Sequence, residues 1–267
     1  MVTEDDLNND YSCNCDNWLF HYTKHDTAIK YILPTLKLKA SYFGNMEDPF
    51  ESASLQHSTW PGTPDDESKY TMHENTVNAY RQFTKVLSFC VSTESQNALL
   101  KPRMWSQYGD RHAGICLIFD KAKLCDKIKT EYPAYEVSAQ KVQYDSGHSE
   151  KIASVLDSKL RDTDDVYSYF KAHSDILLFN KHPDYKDESE FKIAMYSPEA
   201  KREDLYIPIE KALLGIVLGY SYCNENVYSL PLVEYYAKRL QCGLFHISFD
   251  NGHGLIIVKH SNCMQVI

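Results

Sequence analysis

The apolar residues of this 267-residue chain come in short blocks, each about the length of one strand. Residues 86–91 (VLSFCV), 114–120 (GICLIFD), 190–196 (EFKIAMY) and 215–220 (GIVLGY) each suit a strand covered on both faces. The longest run, 212–220 (ALLGIVLGY), is far short of the ~18 residues that a spanning helix needs. The chain is therefore expected to stay off the membrane and to work in the cytoplasm. Between the blocks, helical and turn signals alternate without a regular strand–helix–strand rhythm. That pattern predicts an α+β fold with mixed, twisted sheets flanked by helices.

Residues 1–16 read as a polar N-terminal arm and 17–267 as a single domain. Within it, 18–23 (WLFHYT) is a first strand, 26–33 a short helix stopped by Pro34, and 37–42 a second strand. A polar loop follows at 44–51 (GNMEDPFE), then a turn-rich stretch and a helix over 69–84. A helical turn within 95–110 carries aromatics, and helical signals dominate 149–180. Residues 205–208 suit a further strand and 226–241 a helix. The last segments, FHISFD and LIIVKH, form a hairpin about the turn chemistry of Asn251-Gly252.

The net charge of −9, from 37 acidic against 28 basic residues, disfavours nucleic acid as a partner, because that affinity comes from neutralising phosphates. Only ten residues are glycine, and no GxGxxG is present, so neither a phosphate loop nor a Rossmann dinucleotide site is expected. Gly109 and Gly114 have phosphate-loop spacing, but Ile115 and Cys116 stand where Lys and Ser/Thr are needed. The eight cysteines form no CxxC pair, and Cys90 and Cys116 sit inside apolar runs as small hydrophobes. Cys242, His246, His260 and Cys263 could approach one another across the terminal hairpin. Ligands on a strand must share one face, however, so reduced thiols and ordinary histidines are the plainer account, and no metal is expected.

Four segments set polar groups at the edges of apolar strands: FHYT (20–23), GNMEDPFE (44–51), RMWSQY (103–108) with GICLIFD (114–120), and HPDYKDESEFK (182–192). Each has an ordinary structural reading. His21 can bond a carbonyl within a strand, Asp48-Pro49 can shape a turn, and Trp105 and Tyr108 can be core. Glu188 and Glu190 alternate along the sequence and would share one face of a strand. Two neighbouring carboxylates repel unless a cation or ligand compensates them. Taken together, His21, Asp48, Glu51, Arg103, Trp105, Tyr108, Glu190 and Lys192 are expected to converge on one cleft.

In this order the segments LFHYT, MEDPFE, LSFC, MWSQYGDRHAGICLIFD, YKDESEFK and LLGIVLG resemble a bacterial family known only as domain of unknown function 2971. Glu47, Tyr185, Phe191 and Lys192 depart from its usual Asn, Trp, Trp and Arg. The first-strand His with a Glu opening a late strand also resembles, more remotely, the ADP-ribosyltransferases. That second resemblance implies NAD as substrate. It implies His21, with Tyr22, Thr23 and Tyr42 beside it, as the NAD-binding residues. It implies Glu190, paired with Glu188, as the catalytic carboxylates, and Asp48, Glu51, Arg103, Trp105, Tyr108 and Lys192 as the surrounding cleft. A macromolecular acceptor, and a role as toxin or phage-defence effector, would follow. The alternatives are a non-catalytic module sensing a nucleotide or peptide, and a Mg²⁺-dependent nuclease using Asp48, Glu51, Glu188 and Glu190.

Overall fold

Residues 2–9, 17–46, 84–147, 150–151, 168, 171–198, 203–252 and 254–260 are described by the structure, a computed structural model. The apolar blocks become the strands of one mixed sheet. They are β1 (Trp18–Thr23), β2 (Lys37–Tyr42), β3 (Thr84–Cys90), β4 (Ile115–Asp120), β5 (Glu136–Lys141), β8 (Glu190–Tyr196), β9 (Leu205–Pro208), β10 (Leu213–Leu218), β11 (Gly243–Asp250) and β12 (Gly254–Lys259). Two short strands, β6 (Gln143–Tyr144) and β7 (Asn180–Lys181), pair with each other in parallel outside that sheet. The fold is α+β, as the interspersed pattern predicts.

Neighbouring strands run β12-β11-β10-β4-β1-β3, and from β3 the sheet divides. The whole length of β3 pairs antiparallel with β8, from Thr84↔Tyr196 to Cys90↔Glu190, and β8 pairs in turn with β5. On its other edge β3 meets two strands. Cys90 pairs with Phe20 of β1, while Val86 and Lys85 pair with Ser41 and Tyr42 of β2. The stretch Leu87–Phe89 lies between them at a fork, because β1 and β2 diverge there.

Alternation along the strands gives the sheet two covered faces. Leu19, Leu87, Phe89, Leu117, Phe119, Phe191, Ile193, Ile216 and Leu218 pack on one face with residues from the helices Lys121–Glu131 and Leu230–Leu240. Phe20, Tyr22, Cys116, Ile118, Val217, Phe245 and Ile257 pack on the other, with Leu7, Leu99, Met104 and Trp105. The N-terminal segment, read as a polar arm, carries the helix Glu4–Asn8, capped by Thr3 and docked by Asn8 on the backbone of Ile257.

Some boundaries differ from the sequence reading. The first helical stretch begins at His25 and runs through Pro34 to Thr35, ending at Leu36 with φ of 52°. Pro34 does not stop the helix at Leu33: it follows the π-helical turn Ala28–Ile32, and the stretch ends two residues later at the left-handed Leu36. The expected helix over 69–84 lies outside the described residues except for Thr84, which opens β3. Within 149–180 the described residues 150, 151, 168, 171 and 172 are helical, as is the helix Ser174–Leu177.

Glycine is required at two close backbone approaches, Gly219, which lies against the His112 carbonyl, and Gly114. A Cβ on Gly114 would lie 2.5 Å from the carbonyl oxygen of Thr23 and 2.7 Å from the backbone of Gly109. Next to it, Asp110, Arg111 and His112 all have positive φ, and this tight connection leads the chain into β4. Gly114→Ala is expected to cost about 1–3 kcal/mol by overpacking. Gly147→Ala, which would meet only the Asp145 side chain at 3.4 Å, should stay within about 0.5 kcal/mol of wild type. Urea unfolding of the two variants checks the contrast, and equal midpoints would refute the close approach.

Candidate functional site

A cleft of about 480 Å³ opens at the fork. Its floor is β3, contributing Ser88, Phe89 and Cys90. One wall is β1 with Phe20, His21 and Tyr22, and another is the end of β2 and the turn after it, with Ser41, Asn45 and Met46. The helix Pro102–Gln107 and the residue after it bring Met104, Gln107 and Tyr108, while 181–190 brings Lys181, Tyr185, Glu188 and Glu190. Thus the first strand and the late glutamates, far apart in sequence, meet in one place. The register explains how. Cys90↔Glu190 and Ser88↔Lys192 are neighbouring cross-strand pairs, so Glu190 and Lys192 project on the cleft face. Phe191 and Ile193, one residue out of phase, go into the core.

Glu188 and Glu190 do not alternate along a strand as the sequence reading expects. Glu188 ends the 3-10 segment Pro183–Glu188, Glu190 begins β8, and Ser189 between them has φ of 44°. That left-handed turn brings the two carboxylates onto one cation. Lys181 Nζ donates to Glu188 Oε2 at 2.8 Å and to Glu190 Oε2 at 3.4 Å, and lies 4.5 Å from the Tyr185 ring centre. Lys192 Nζ lies 3.7 Å from Glu190 Oε2. The Tyr108 hydroxyl donates to Glu188 Oε1 at 2.7 Å, and the backbone N–H of Glu190 donates to the Tyr144 hydroxyl at 2.8 Å. Glu188, Glu190, Lys181 and Lys192 are all buried.

These contacts set the protonation states. Burial pushes the Glu190 carboxyl up, but the opposing charges of Lys192 and Lys181 outweigh it and hold the group below the usual carboxylate range. Burial, reinforced by the bond to Glu188, pushes the Tyr108 phenol well above its ordinary value. Burial also lowers His21, so its imidazole is neutral at pH 7. His21 Nδ1 lies 3.3 Å from the Ser88 carbonyl oxygen, which can only accept, so Nδ1 carries the proton and Nε2 keeps its lone pair. The His21 ring also meets Phe89 edge-on at 5.9 Å between centres.

Of the residues read from sequence, His21, Tyr22, Tyr108, Glu188 and Glu190 line the cleft, and Lys192 stands directly behind Glu190. Others go elsewhere. Trp105 is fully buried in the core, its indole N–H donating to the Leu99 carbonyl at 2.7 Å and its ring against Tyr22. Arg103 reaches outward to the Asp184 carbonyl and the Asp187 carboxylate. Tyr42 receives the Lys85 ammonium over its ring, and Thr23 is buried where β1 ends. Asp48 and Glu51 lie outside the described residues. Sequence reasoning missed Lys181, Ser88 and Tyr185 as single cleft residues. Lys181 precedes the His182-Pro183 turn, and that turn was its one visible signal.

The terminal histidines do meet: the rings of His246 and His260 are 5.9 Å apart, and His260 Nε2 lies 3.3 Å from Glu234 Oε1. Cys242 precedes His246 by four residues along an extended chain, about 13 Å at strand rise, too far for one ion. Cys263 lies outside the described residues. Among the described residues, no cluster of three or more His, Cys, Asp or Glu side chains could hold a metal, and no helix is long and apolar enough to cross a membrane.

Lys181→Met removes the cation that both glutamates share and should cost about 3–5 kcal/mol, because it strands buried charge. The pH dependence follows from signs. Glu190 is depressed below 4.5 in the fold, so its contribution is present above that value and disappears as pH falls through the folded pKa. His21 is depressed below 6.5, so its contribution is likewise present above 6.5 and lost below it. Denaturation across pH 3–8 should therefore show a flatter acid limb for Glu190→Gln below about 4.5 and for His21→Gln below about 6.5. Unchanged limbs would contradict these assignments.

Residues 104–193, about a third of the chain, match the family model described as "Protein of unknown function (DUF2971)". That stretch runs from the helix Pro102–Gln107 to the middle of β8 and contains Tyr108, Lys181, Glu188 and Glu190. No curated protein and no solved structure matches the chain significantly. The similarity is thus to a family that has no assigned activity, and it falls on the segment that supplies the cleft's charged wall.

Proposed function

We propose that the cleft binds NAD and cleaves its nicotinamide–ribose bond, passing ADP-ribose to a macromolecular acceptor or to water. The observation that carries this reading is the pairing of Glu190 with His21 across one cleft, with Glu190 buried yet held ionised. When the C1′–N bond breaks, its electron pair leaves with the nicotinamide and positive charge develops on the ribose. A carboxylate fixed in a site of low dielectric stabilises that charge without having to reorganise. The acceptor's nucleophilic oxygen or nitrogen then bonds to C1′ and loses its proton.

The other groups fall into supporting roles. Neutral His21 offers Nε2 as an acceptor for a ribose hydroxyl. The aromatic rings of Phe89, Tyr108 and Tyr185 suit a planar ring. Glu188 has one oxygen on Tyr108 and the other on Lys181, so it braces the site, and Glu190 is the electrostatic partner. A bacterial toxin or phage-defence effector would be a setting for such chemistry.

A second reading, a non-catalytic module sensing a nucleotide or peptide, draws on the same ion cluster. Lys181 already compensates both carboxylates, so the cleft could bind without reacting. For the Mg²⁺ nuclease reading the same lysine is unfavourable, since its ammonium takes the position between Glu188 and Glu190 that a cation would need.

Glu190→Gln should keep the fold and NAD binding while lowering turnover on the order of 10²–10³-fold. His21→Ala should raise KM with a smaller change in kcat, as expected for a group binding ground and transition states alike. Release of nicotinamide, followed by chromatography, measures both. Wild-type protein that binds NAD without releasing nicotinamide would favour the sensing module. Absence of binding would end the NAD reading.

A further inference from the structure

Lys101 is buried to 2% exposure, yet among the described residues its ammonium meets no carboxylate within ion-pair distance. Its partners are neutral: Nζ donates to Ser189 Oγ at 2.7 Å and to the Asp187 carbonyl at 3.2 Å, and it also faces the Cys90 thiol. Burying a cation with no carboxylate beside it is unfavourable for stability, so its placement calls for another reason.

The residue it grips is the left-handed one between the two glutamates. A serine at φ of 44° is strained, because a Cβ crowds the backbone in that region. The turn is held from two sides. The Ser189 carbonyl accepts from the Val91 N–H at 2.9 Å, just beyond the end of β3, and the Ser189 hydroxyl and Asp187 carbonyl accept from Lys101. Lys101 also immediately precedes the helix Pro102–Gln107, which leads to Tyr108, and the Tyr108 hydroxyl bonds Glu188. One ammonium thus joins the helix wall of the cleft to the turn that sets Glu188 against Glu190.

We propose that Lys101 is a positioning residue: it clamps the Ser189 turn in its left-handed form and so holds Glu188 and Glu190 together on Lys181 facing the cleft. The inference rests on the NAD reading only for its effect on turnover, since the clamp itself is a statement about backbone geometry. Lys101 touches no reacting atom. It acts through the turn.

The test compares wild type, Lys101→Met, Ser189→Ala and the double variant Lys101→Met with Ser189→Gly. Methionine keeps the buried stem and removes the charge. The ¹³Cα and ¹³Cβ NMR shifts at position 189 distinguish left-handed from extended backbone without any ligand. They should leave the left-handed range in Lys101→Met and, because its acceptor is gone, in Ser189→Ala. Turnover of NAD by Lys101→Met should fall about 10²-fold in kcat, the scale expected of a small misplacement, with KM nearly unchanged. Glycine adopts positive φ freely, so the double variant should regain most of that loss although the charge stays absent. Recovery would show that Lys101 acts through the turn, since a direct electrostatic role would not be rescued. If Lys101→Met does not fold, Ser189→Ala decides. If wild type does not consume NAD, the functional reading fails and the NMR shifts alone decide. Left-handed shifts retained at position 189 in every folded variant would overturn the proposal.

Discussion

β3 has one edge filled along its whole length by β8 and the other edge shared by two strands. Phe20 of β1 takes its end and Ser41 and Tyr42 of β2 take its beginning, so Ser88 is left where the two diverge. A strand cannot leave a backbone carbonyl unpaired in the interior without cost. Here the His21 imidazole fills that role from β1, and the same bond fixes which ring nitrogen carries the proton. The fork therefore makes the cleft and orients its first polar group in a single step.

The second constraint is charge. Two glutamates and two lysines are buried around the opening strand pair of β3 and β8, a costly arrangement unless each group is compensated. Lys181 bridges the glutamates, Lys192 backs Glu190, and Tyr108 completes Glu188. Replacing such buried ion clusters by apolar side chains of the same volume is often neutral or stabilising. A buried carboxylate held in its charged form, as Glu190 is, fits a site whose task is electrostatic.

Much of this was legible from residue patterns, and the failures share a cause. The strands with apolar faces, β1, β3, β4, β8 and β10, appear in the sequence near their true limits. β5 does not, because Glu136–Lys141 is an outer strand on β8 with mostly exposed side chains and no apolar signature. The helix Lys121–Glu131 has only a sparse signal, Leu124 and Ile128 one turn apart as its buried stripe and Asp120 as its cap. Glu188 and Glu190 do form a pair, though not through the alternation that their spacing suggests. Period-two alternation assumes extended backbone, and Ser189 is left-handed. Trp105 and Tyr108 illustrate the limit of spacing. Three residues apart near one short helix, the first faces the core and the second faces the cleft, and only the packing around Leu99 and Tyr22 separates them.

Lys181 and Lys101 were invisible for a more general reason. A lysine's place is decided by what it reaches, and both reach across the 180–190 segment to groups brought near by the fork. The ligand is proposed to sit at the fork. Amide NMR of the ¹⁵N-labelled protein during titration with NAD tests it most directly. Saturable shifts are expected at His21, Ser88, Tyr108 and Glu190, with β11 and β12 undisturbed. Shifts confined to another surface, or no shifts at saturating NAD, would contradict it.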